Sequence, residues 1–137
     1  MVPGSPRWVR ILFVLAGVYD GALGLAFLLC PAGVFEMHHV EPPNHLAYIR
    51  FPALLLLLFA IMFLRIAANP VARRELILYG CGLKISYCVI VFGYQARGVI
   101  PFMWVPWAWA DLAFFALFLV AWTISWRAAP HAAPNPA

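Results

Sequence analysis

The chain has 137 residues, of which 66% are hydrophobic and 10% charged, and its formal charge is +4. A soluble domain of this size cannot hide so much apolar surface, so the composition excludes that class and points to a membrane protein. Apart from Lys84 the bases lie at helix ends and in short loops without a basic run, which excludes a nucleic-acid partner and leaves the lipid bilayer.

The first expected span covers residues 8–29, after a short tail, 1–7, that reads as disordered. As a helix it is about 33 Å long, enough to cross a bilayer and too long for the core of a signal peptide. Asp20 interrupts its apolar run, and no small-x-small cleavage site follows. Gly17, Gly21 and Gly24 allow close helix approach, and Asp20 shares their face, so the acid is expected to point at a neighbouring helix. A loop over 30–45 follows, with Pro31 and Gly33 ending the span and Pro42-Pro43 keeping the chain extended.

Asn44 is read as the cap of a second span at 45–68, which carries Arg50 near its start and a kink at Pro52. Asn69-Pro70 opens the third helix, whose span is placed at 72–95. Gly80, Lys84, Tyr87, Val91 and Tyr94 follow spacings of four and three residues there, so they form one stripe expected to face the interior. After a short loop containing Arg97 and Pro101, the fourth span covers 104–126. Trp104, Trp107 and Trp109 mark one membrane interface, and Trp122 and Trp126 the other. The Ala/Pro-rich tail, 127–137, reads as disordered. The expected fold is all-α: one domain, 8–126, forming a four-helix antiparallel transmembrane bundle.

With Arg50 and Lys84 set aside as intramembrane, six arginines (Arg7, Arg10, Arg65, Arg73, Arg74 and Arg127) fall on one side, and Arg97 falls on the other. The positive-inside rule then places both termini in the cytoplasm, and in a bacterium the chain is a multi-pass protein of the inner (plasma) membrane. At about 1.5 Å per residue, Asp20 and Lys84 lie near mid-membrane, while Arg50 and Asp111 lie nearer the outer side. The expected ion pairs are therefore Asp20 with Lys84 and Arg50 with Asp111, because an unpaired charge at the bilayer centre costs at least ~2.5 kcal/mol. The Arg50–Asp111 pair is read as a staple. Asp20 and Lys84 are read either as a second staple fixing helix register or, with Tyr19, Tyr87 and Tyr94 as further hydrogen-bonding groups, as a buried polar site for a small ligand, a quinone or a proton.

In the first loop, Glu36, His38, His39, Glu41 and His45 fall within ten residues. Imidazole and carboxylate suit zinc or copper, but no HxxxH helix pair is present and Pro42-Pro43 separates His45 from the others. The loop is read as solvated and interfacial, with metal binding as the alternative. Cys81 and Cys88 lie seven residues apart in one apolar stretch and read as buried small hydrophobes. No Ser/His/Asp constellation, phosphate-binding Gly loop, HExxH or CxxC appears, so no catalytic residue is assigned.

Four stretches carry a family resemblance: GVYDGALGLAFLL, NHLAYIRFPALLLL, NPVARRELILYGCGLKISY and PWAWADLAFF. Over residues 8–126 they resemble the small four-span bacterial membrane proteins grouped as DoxX-like. That resemblance implies a small membrane subunit linked to quinone-coupled sulfur or thiol oxidation. Three functions are expected: an accessory or scaffold subunit of a larger membrane complex, the quinone-linked redox subunit that the resemblance implies, or a small proton or solute conduit using the buried charges. The first is preferred, since few reactive groups lie outside the spans.

Overall fold

The computed structural model describes residues 5–129, and all its regular structure is helical. Helix α1 spans Arg7–Leu29, α2 Pro31–Met37, α3 Ala47–Ala68, α4 Arg74–Gln95 and α5 Val105–Arg127. A 3-10 turn at Phe102–Trp104 leads into α5. The four long helices are long and apolar enough to cross a membrane, which fits a multi-pass membrane protein. The disorder expected for 1–4 and 130–137 lies outside the described residues, while Arg7 and Arg127 already belong to α1 and α5.

Local chemistry explains where the helix ends depart from expectation. Pro31 ends α1 but also starts α2, because a proline at a first helical position gives up only an N–H that lacks a helical acceptor. Loop 30–45 is therefore partly helical. Asn44 does not cap α3, which begins at Ala47 without a side-chain cap. Asn69 Oδ1 accepts a hydrogen bond from the Ala72 amide at 3.1 Å, which closes a turn ahead of α4. Helix α4 consequently starts at Arg74, and α3 continues through Pro52.

The long helices pair as two hairpins. Helix α1 packs closely along α3, and α4 along α5, whereas contacts between the hairpins are sparse. Helices in lipid gain little from apolar burial itself, so they associate through close packing. The glycines of α1 supply that closeness: a Cβ built on Gly24 would stand 2.9 Å from the Ala53 carbonyl oxygen, and one on Gly17 3.1 Å from that of Ala60. Arg10 fastens the end of this hairpin. Its Nε donates to the Ala67 carbonyl at 3.1 Å and its Nη2 to that of Ala68 at 2.8 Å, satisfying carbonyls that the end of α3 leaves open.

Between the hairpins runs a seam whose two halves are filled differently. In the half nearer the termini, Phe13, Phe63 and Phe118 are fully buried, with Phe13 and Phe118 stacked at 4.6 Å and Phe63 edge-on to Phe118 at 5.2 Å. Gly80 leaves room for this layer, since a Cβ there would stand 2.6 Å from Phe63 Cε1. In the other half, Phe27, Phe35, Ala53 and Met103 form a smaller cluster, and Phe35 of α2 packs edge-on against Phe27 and Trp104. The outward faces remain apolar: Ile11, Leu15, Val18, Leu54, Leu58, Ile61, Val89 and Ile90 are all exposed. Apolar exposure on that scale is a membrane- or partner-facing surface.

Candidate ligand site between the two hairpins

Lys84, the one lysine in the chain, lies 1% exposed at the middle of the seam. Its Nζ donates a hydrogen bond of 2.6 Å to Asp20 Oδ1 across the seam. The same Nζ lies 2.9 Å from Asp111 Oδ1 of its own hairpin, in ion contact but without hydrogen-bond alignment. The ammonium is also ringed by aromatic faces, with the Tyr19 centroid at 5.0 Å, Phe114 at 5.5 Å and Phe63 at 5.8 Å. Ring quadrupoles attract a desolvated cation, so this seat stabilises the charged lysine together with the two carboxylates.

Asp111 thus belongs with Asp20 and Lys84, and the expected pair with Arg50 does not form. Arg50 lies in the first turn of α3, exposed and outside any ion pair among the described residues. A count of depth along each helix separated Lys84 from Asp111, because it measures backbone positions. The flexible four-carbon lysine stem covers the remaining distance.

A cavity of about 350 Å3 lies on the loop side of this cluster and is partly open. All four long helices contribute to it. Tyr19, Asp20, Leu23 and Phe27 come from α1, Ile49, Pro52, Ala53, Leu55 and Leu56 from α3, and Leu83 and Tyr87 from α4. Trp107 and Asp111 of α5, with Trp104 before it, complete the wall. Pro52 and Leu55 are exposed, so the cavity reaches the outer surface along α3. Asp20 and Asp111 belong to the cavity wall, while Lys84, which pairs with both, does not. Asp20 Oδ2, Asp111 Oδ1 and the Tyr19 hydroxyl are buried and make no hydrogen bond within the described residues.

The other expected site residues divide clearly. The Tyr87 hydroxyl is already engaged, donating to the Trp104 carbonyl at 3.1 Å. Tyr94 is 46% exposed, with the Arg97 guanidinium over its ring, and stands apart from the cluster. Cys81 and Cys88 are buried, and the Cys88 thiol donates to the Ala108 carbonyl at 3.2 Å. Trp104 and Trp107, expected only as interface markers, are cavity walls. Their spacing to Asp111 is the signal that identifies them, since positions 104, 107 and 111 share one helical face.

The histidine loop gathers no metal site. Glu36, His38, His39, Glu41 and His45 are all exposed, and among the described residues no three His, Cys, Asp or Glu side chains lie close enough to share an ion. His38 Nδ1 pairs with the Val34 carbonyl at 2.8 Å, and His45 packs edge-on against Tyr48.

No family model, curated protein or solved structure matches the chain.

Proposed function

We propose that this multi-pass membrane protein holds one small amphipathic molecule between its two hairpins and acts as an accessory subunit of a larger membrane complex. The observation that carries the reading is the cavity itself. It is apolar over most of its wall, has Tyr19, Asp20 and Asp111 among its lining residues and opens through an apolar helix face. Its volume sits at the lower end of small-molecule pockets, ~300–1,000 Å3. In this reading the ligand enters laterally from the bilayer past Pro52 and Leu55.

Orientation belongs to the same proposal. With Arg50 counted at the loop end, the basic residues divide six to two in favour of the end bearing the termini. That bias supports cytoplasmic termini and, in a bacterium, an inner-membrane location. The DoxX-like resemblance makes a quinone head group one ligand to include in any test. A conduit is less well supported, because the fully buried Phe13, Phe63 and Phe118 layer lies directly beyond the cluster and would have to move.

Purification from native membranes in mild detergent, followed by mass spectrometry of extracted small molecules and co-purifying polypeptides, tests both parts. A stoichiometric small molecule supports the cavity reading, and a stoichiometric polypeptide supports the accessory role. Their absence counts against each part separately.

A further inference from the structure

Charge arithmetic at the cavity narrows the class of ligand. Lys84 supplies one positive charge, and Asp20 and Asp111 supply two acids. No other base lines the cavity among the described residues. With both carboxylates ionised, the cluster carries one surplus negative charge. Its placement matters as much as its sign: the two acids belong to the cavity wall and the lysine does not. Asp20 is 1% exposed, yet its Oδ2 has no hydrogen-bond partner.

We propose that the cavity selects a lipophilic organic monocation, with its charged end against the carboxylates of Asp20 and Asp111 and its apolar body against Trp104, Trp107 and Leu56. A buried charge needs a counter-charge, and a monocation provides one while an anion would worsen the imbalance. A neutral ligand leaves the surplus unanswered. Aromatic rings add attraction for a desolvated cation, and Tyr19, Trp104 and Trp107 are among the wall residues. Apart from Phe27 and Tyr87 the rest of the wall is aliphatic, which disfavours a small hydrated metal ion. The inference rests on the cavity being a ligand site and assigns that ligand's charge.

The test is titration calorimetry of the full chain in an uncharged detergent with benzyltrimethylammonium and with its neutral isostere, neopentylbenzene. The expected result is one cation bound per chain, with the isostere weaker by about tenfold or more. Asp111→Asn removes the surplus charge while keeping the Asp20–Lys84 hydrogen bond, so it should abolish the cation's advantage, and Asp111→Glu should restore it. Equal binding of cation and isostere, both lost in Leu56→Trp, overturns the cation assignment and leaves the cavity reading intact. That result would mean that a proton already balances the cluster. Binding of neither probe overturns the cation assignment, and if no native molecule is retained on purification either, the cavity reading falls with it.

Discussion

Lys84 and Asp111, on the two helices of one hairpin, are in ion contact at 2.9 Å, and the same ammonium reaches across the seam to Asp20 at 2.6 Å. One cation therefore serves two acids on different helices, and it is the main polar tie between hairpins that otherwise touch sparsely. Truncating Lys84 leaves two carboxylates buried without a base. Lys84→Met should cost about 3–5 kcal/mol in a denaturation titration, the usual penalty for breaking a buried charge group. The apolar triple variant Asp20→Leu/Lys84→Met/Asp111→Leu should be as stable as the parent or more so, since matched apolar side chains also relieve the desolvation cost. A triple variant as unstable as Lys84→Met would show that the cluster itself holds the fold.

Gly80 provides a packing test independent of charge. An added methyl would stand 2.6 Å from Phe63 Cε1 and 3.2 Å from Phe118 Cε2, so the phenylalanine layer would have to shift. Gly80→Ala should destabilise by about 1–3 kcal/mol. Gly82, two residues on in the same helix, has nothing within 4 Å of its would-be Cβ, and Gly82→Ala should be neutral or stabilise by up to about 1 kcal/mol. Equal effects at the two positions would contradict the described filling of the seam.

The two arginines at opposite ends of α3 should also behave differently. Arg10 donates to two carbonyls at the end of α3, and its loss in Arg10→Ala should cost about 1 kcal/mol. Arg50 is exposed and unpaired among the described residues, so Arg50→Ala should change stability by no more than about 0.5 kcal/mol. A large loss at Arg50 would revive the pairing with Asp111 that the structure does not contain.

The long helices are legible in the sequence because their apolar runs are long and bounded by prolines, arginines and tryptophans. Contact between Asp20 and Lys84 was readable because both lie deep in their helices and carry opposite charge. Tyr94 was misplaced for a geometric reason. A stripe at alternating spacings of three and four averages 3.5 residues, and a straight helix drifts from it by about 20° per heptad. Gly80 is buried, Tyr87 one heptad on is half-buried, and Tyr94 after two heptads has turned to the surface. Helix α2 is not legible because Pro31 signals a helix end in the sequence and is equally a permitted start. The cavity was not legible at all. It arises from how two hairpins meet, and no local pattern in either hairpin encodes an unfilled space between them.

Occupancy of that space is the claim on which the rest depends, and native mass spectrometry of the purified chain beside Leu56→Trp measures it most directly. Leu56 lines the cavity and is only partly buried, so a tryptophan there fills the space from the wall without entering the phenylalanine layer. The expected result is one small molecule bound per parent chain and none on the variant, with both chains equally stable. A parent chain that flies empty, or a variant that keeps the same bound mass, would contradict it.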